Sequence, residues 1–160
     1  MNGGLRIMKE KKPIDIRERC FDYALRAIKL YQFLQEGKDG AGWILGKQYL
    51  RAATSVGANI EEAQSGQSKA DFIHKMSISQ KEARESLYWL QLLEKSELVP
   101  KNRIQSLIQE TQEIIAVITT IIVKTKQNGQ FKSELHHCLI YLYRIPHSGY
   151  DSQDIFEDDC

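Results

Sequence analysis

Three cysteines, three prolines and ten glycines among 160 residues are too few for a disulfide-framed, loop-rich or low-complexity chain. Cys20, Cys138 and Cys160 are odd in number and show no paired spacing, so they read as free thiols in a reducing compartment. No uninterrupted apolar run approaches the roughly 20 residues that cross a bilayer, and no membrane association is expected. The first residues run into Lys9, Glu10, Lys11 and Lys12 where a secretory signal would place its apolar stretch, so the expected location is cytoplasmic. There is no Gly-rich phosphate loop, nucleophile elbow or Cys-x-x-Cys. Net charge is also scarce, at +1, but it is unevenly spread. Residues 1–127 hold 20 basic and 15 acidic side chains, whereas residues 128–160 hold 2 basic and 6 acidic ones. A mildly basic body therefore precedes an acidic tail, a balance that permits contact with a polyanion without requiring it.

What the chain has is helical periodicity. Residues 1–13 form a basic lead-in, expected to be flexible, that ends at Pro13. A first helix is expected from Ile14 to Gln35, with Cys20, Ala24, Ala27, Tyr31 and Leu34 on its buried face and Phe21, Leu25 and Ile28 widening that stripe. Gly37 and Gly40 break it. A second helix, Ala41 to Ser65, carries small residues (Ala53, Ser55, Gly57, Ala58) that let a neighbour approach closely. The same face holds the polar stripe Gln48, Ser55, Asn59 and Glu62, whose groups need partners if buried. Ser68 and Asp71 resemble a capping box opening a third helix that runs to Lys95. Pro100 fits the first position of a fourth. There, Ile104, Ile108, Thr111, Ile115, Ile118 and Ile122 form one row, and Leu107, Ile114 and Ile121 a second. Two rows exceed one core face, so Leu107, Ile114 and Ile121 are candidates for a contact between copies of the chain. Four helices with short connections predict an all-α, antiparallel up-down-up-down bundle over residues 14–127. Residues 128–160 are expected to be an acidic, partly disordered tail outside it.

The run Arg51-Ala52-Ala53-Thr54-Ser55-Val56-Gly57-Ala58-Asn59-Ile60-Glu61-Glu62 carries a resemblance. So do Ser68 to Ile73 and Lys81-Glu82-Ala83-Arg84-Glu85-Ser86-Leu87-Tyr88-Trp89-Leu90. Together they resemble the bacterial four-helix-bundle proteins encoded in intervening sequences of the large ribosomal RNA gene. That group includes the accessory variability proteins of diversity-generating retroelements. The resemblance covers Ile14 to Gln127. It implies a homopentamer without catalytic activity or cofactor. In the retroelement branch it also implies association with nucleic acid and with a reverse transcriptase. Arg51, Ser55, Asn59 and Glu62 match the family's polar positions, whereas Ala63 stands where the family usually has Gly, and the tail exceeds the family's usual length.

These four polar residues admit two readings, a ligand or RNA pocket and a hydrogen-bond and ion-pair network that fixes helix register. The second is favoured, because polar groups within bundles commonly serve specificity. Lys9, Lys11, Lys12, Arg17, Arg19, Arg26 and Lys29 cluster at the start of the chain and are candidate phosphate contacts. Interleaved Glu10, Asp15, Glu18 and Asp22 make a merely solvated face an equal alternative. Asp71 and His74 have the spacing of a bundle metal pair, but a di-metal bundle needs two Glu-x-x-His motifs and this chain has none. Glu82 and Glu85 read as members of a solvated face with Lys81 and Arg84 rather than as an acid–base pair. His136-His137-Cys138 lacks a fourth ligand. No catalytic residue, metal or small-molecule substrate is expected. The sequence therefore predicts a non-catalytic, self-assembling scaffold that binds RNA, DNA or an enzyme acting on them. The alternative is a module that binds only proteins.

Overall fold

Capping chemistry sets the helix starts. The Asp15 carboxylate accepts the Arg17 amide and opens α1 (Ile16–Glu36). Asp39 accepts the Ala41 and Gly42 amides and opens α2 (Gly40–Gln64). Ser68 accepts the Asp71 amide at 3.1 Å and opens α3 (Lys69–Lys95). The expected capping box is therefore half formed, because the shorter Asp71 carboxylate reaches the Gln67 amide instead of closing back on Ser68. Pro100 immediately precedes α4 (Lys101–Gln127), and its carbonyl accepts the Arg103 amide. This computed structural model describes residues 15–37 and 39–127. The basic lead-in and the acidic tail lie outside the described residues.

The helices are consecutive neighbours, α1 on α2, α2 on α3 and α3 on α4, with α4 returning to α1. Connections this short force antiparallel neighbours, and the result is an all-α, up-down-up-down four-helix bundle. The α1–α2 contact is close because α2 presents glycine. A Cβ on Gly46 would stand 2.7 Å from Leu34, and one on Gly57 would meet the Cys20 backbone at 3.6 Å. On the far side α1 meets α4 through long polar side chains. Tyr23 donates its hydroxyl to Thr111 at 2.8 Å, since the Thr111 hydroxyl is itself donated to the Leu107 carbonyl.

Two expectations about apolar faces are corrected. Leu107, Ile114 and Ile121 are buried in the chain's own core, as are Ile104, Ile108, Ile118 and Ile122. In an antiparallel bundle α4 packs between two neighbours and across the centre, so it needs a face wide enough for both rows. No row remains for a second copy. Conversely, Phe21, Leu25 and Ile28 do not widen the buried face of α1. They are 65, 45 and 39% exposed and form an apolar stripe on its outer side. Composition and length alone would let α4 cross a membrane, but its apolar side faces the bundle centre, as in a core helix.

Candidate functional site

The four motif residues of α2 do not form one network. They lie along the seam with α3, half-buried or exposed rather than on the inner face. Arg51 reaches across to Glu85 and, at 3.7 Å, to Glu82. Glu62, about three turns further along α2, accepts from Lys75. Asn59 donates to the Ser55 carbonyl of its own helix at 2.8 Å. Arg51 with Glu82 and Glu85, and Glu62 with Lys75, therefore tie α2 to α3 at two separate points. The Trp89 indole N–H and the Arg51 guanidinium together hold the Glu85 carboxyl below the usual carboxylate range. Glu82 and Glu85 thus belong to a helix seam, not to the solvated face expected for them.

The basic cluster assigned to α1 is mostly unavailable to phosphate. Arg19 is 5% exposed and pairs with both Glu110 and Glu113 of α4. Arg26 is half-buried and donates to the Ser106 hydroxyl at 2.9 Å. Arg17 is exposed, but Asp15 accepts two hydrogen bonds from its guanidinium. Lys29 is exposed on the same helix. Lys9, Lys11 and Lys12 lie outside the described residues. The arginines of α1 are thus structural. Arg19 and Arg26 fasten α1 to α4 where apolar contact is thin.

Among the described residues, a row of exposed cations without ion pairs lies on α3. His74, Ser77, Lys81, Arg84, Tyr88, Gln91 and Lys95 recur at alternating spacings of three and four, so they line one stripe of α3. All but the half-buried Ser77 are exposed, and Tyr88 stands 54% open. Beside this stripe α4 exposes Lys101, Gln105, Gln109 and Gln112. The Gln80–Thr119 hydrogen bond joins the two helices below that surface. Every exposed residue of α3 and α4 is neutral or basic, because their carboxylates are drawn into the seams or the helix ends. On α1 and α2, by contrast, exposed Glu18, Asp22, Glu36, Glu61 and Glu62 alternate with Arg17, Lys29, Lys47 and Arg51. Among the described residues, Lys81, Arg84, Lys95 and Lys101 form no ion pair. This face was legible as an acid-free stripe in the sequence of α3. It was missed because Glu82 and Glu85 stand beside Lys81 and Arg84, and only the position of Arg51 shows which way those glutamates turn.

The sequence profile of the 23S rRNA-intervening sequence protein family matches residues 12–120. The chain belongs to that family. A crystal structure of an S23 ribosomal protein family member of unknown function from Bacteroides thetaiotaomicron is similar to it, with 38% identity and a TM-score of 0.64. The match covers 67% of this chain and 97% of that one, so the difference in length lies on the side of this chain. No curated protein matches. The residues shared across the intervening-sequence protein family thus end near the close of α4, and residues 128–160 of this member lie beyond the profile. Among the described residues no group of three or more histidine, cysteine or acidic side chains is placed to hold a metal ion. The Asp71 carboxylate is engaged at the start of α3, and His74 belongs to the cationic stripe.

Proposed function

We propose that this intervening-sequence family member is a non-catalytic cytoplasmic scaffold that binds a nucleic-acid backbone, alone or together with an enzyme acting on it such as a reverse transcriptase. The observation that carries this reading is the carboxylate-free face of α3 and α4. Lysine and arginine there attract phosphate, the glutamine side chains donate hydrogen bonds to it, and Tyr88 offers a ring on which an unpaired base stacks. Such a surface reads charge and shape rather than sequence. Binding of a labelled structured RNA should fall roughly tenfold in a Lys81→Gln, Arg84→Gln variant at 0.1 M salt, with a shallower dependence on salt concentration. Arg17→Gln should leave it unchanged, because Asp15 already neutralises that cation. Equal binding by both variants, or none by the unaltered protein at low salt, would reject the assignment.

The exposed stripe Phe21, Leu25 and Ile28 favours a second, compatible role in protein contact. We place the contact between copies of the chain there, with five as the number the family resemblance implies. A large apolar stripe on one helix of a small bundle is the kind of surface that self-association covers. Native mass measurement of a Phe21→Ser, Leu25→Ser variant checks it. The expected result is a folded monomer, and an unchanged assembly would move the interface elsewhere.

A further inference from the structure

We propose that the acidic end of this chain, Asp151–Asp159, lies against the cationic face of α3 and α4 and shields it. Three observations meet here. The segment holds Asp151, Asp154, Glu157, Asp158 and Asp159 with no cation among them, and Ile155-Phe156 stand at its middle. The face holds Lys81, Arg84, Lys95 and Lys101, no exposed residue of α3 or α4 is acidic, and Tyr88 stands at its middle, with exposed Glu97 in the connection between Lys95 and Lys101. An acidic segment with a central aromatic thus matches a basic stripe with a central aromatic. On the other half of the bundle the exposed carboxylates Glu18, Asp22, Glu36, Glu61 and Glu62 interrupt the cations, so it offers no such acid-free stripe.

The third observation is reach. α4 ends beside the start of α3, where the Lys69 ammonium donates to the Lys126 carbonyl at 3.4 Å. At 1.5 Å per residue, Lys81 and Arg84 lie about 18 and 23 Å along α3 from that point. Residues 128–150 join α4 to the acidic segment, and a stretch of that length can reach at most about 76–83 Å. The chain is therefore long enough for the acidic segment to meet this face, from Lys81 to Lys101, within one copy. Each exposed ion pair is weak and screened by salt. The contact is therefore reversible, and a polyanion with more charges displaces it.

The polyanion-binding reading above gives this contact its consequence, but the contact can be measured without it. The full chain, mixed as isotopically labelled and unlabelled copies, is treated with a zero-length carbodiimide crosslinker and mapped by mass spectrometry. The expected crosslinks join residues 151–159 to Lys81, Lys95 or Lys101 within one copy, and fade at 0.5 M salt by about the factor that screening predicts. Crosslinks spread equally over Lys29 and Lys47, or formed only between copies, would overturn the proposal. A second measurement uses the five-fold variant Asp151→Asn, Asp154→Asn, Glu157→Gln, Asp158→Asn, Asp159→Asn and the same structured RNA. It should bind roughly tenfold more tightly than the unaltered chain. Specific crosslinks with no RNA binding by either form would keep the shielding contact and remove the nucleic-acid function. Equal RNA binding by both forms, without specific crosslinks, would do the reverse.

Discussion

At the scale of single residues, the deciding question is whether a polar group is held or free. Arg19 is held, between Glu110 and Glu113, in a place where its loss strands two carboxylates. Breaking a largely buried pair costs on the order of 3 kcal/mol, so Arg19→Ala should lower the urea midpoint markedly. Arg17→Ala removes an exposed pair worth about 0–1 kcal/mol and should barely move it. The sequence placed both arginines in one phosphate-binding cluster, because charge and neighbourhood along the chain were the same for both. Only the packing of α4 against α1 separates them. Glu97 is a second such case. It sits just past α3 at φ 58°, in the left-handed region, where a side chain is strained. Glu97→Gly should stabilise by about 1 kcal/mol in the same assay. Cys20 gives a prediction in pH. Burial pushes its thiol up to about 12 from an ordinary 9, and burial likewise raises Tyr23 and Tyr49. Below pH 9 folded and unfolded chains keep the same proton on the thiol. Above it the unfolded thiol ionises and the folded one does not, so stability falls by about 1.4 kcal/mol per pH unit for this group until pH 12. Thermal melts from pH 8 to 11 should show that decline, weakened in Cys20→Ala.

At the scale of helices, the contact surfaces follow from where small and large side chains alternate. Gly46 lets α1 approach, and Gly46→Ala would press on Leu34 in a closely packed seam, costing about 1–3 kcal/mol. Gly57→Ala meets only ordinary contact distances, so the gain in helix propensity should leave it neutral or stabilised by up to about 1 kcal/mol. Thermal unfolding of the two variants distinguishes them. The four helices, their ends to within one or two residues, and the close approach on α2 were all legible in sequence, because periodicity, caps and glycines act locally. The division of α1 and α4 into inner and outer faces was not. Two apolar rows on α4 look like one too many until its neighbours are counted, and Phe21, Leu25 and Ile28 look like core until α1 is seen to be an edge-facing helix. Ile114→Glu should accordingly unfold the chain rather than dissociate an assembly, since a charge would replace a side chain at the bundle centre. Circular dichroism of that variant is the check.

At the scale of the whole molecule, the pattern that matters is how charge is sorted. The seams between α2 and α3 and between α1 and α4 each draw in the glutamates of α3 and α4. The side that remains outside is left positive by subtraction. A count along the chain sees a near-balance of signs and cannot find this, because the balance is achieved partly by groups that no solvent-borne partner meets. One consequence lies in how the protein behaves on a charged matrix. A chain with a formal charge of only +1 would ordinarily pass through a cation-exchange column near neutral pH. This one carries Lys81, Arg84, Lys95 and Lys101 on one side, and should be retained there and elute late, oriented with that side toward the resin. The variant with its five terminal carboxylates neutralised should elute later still.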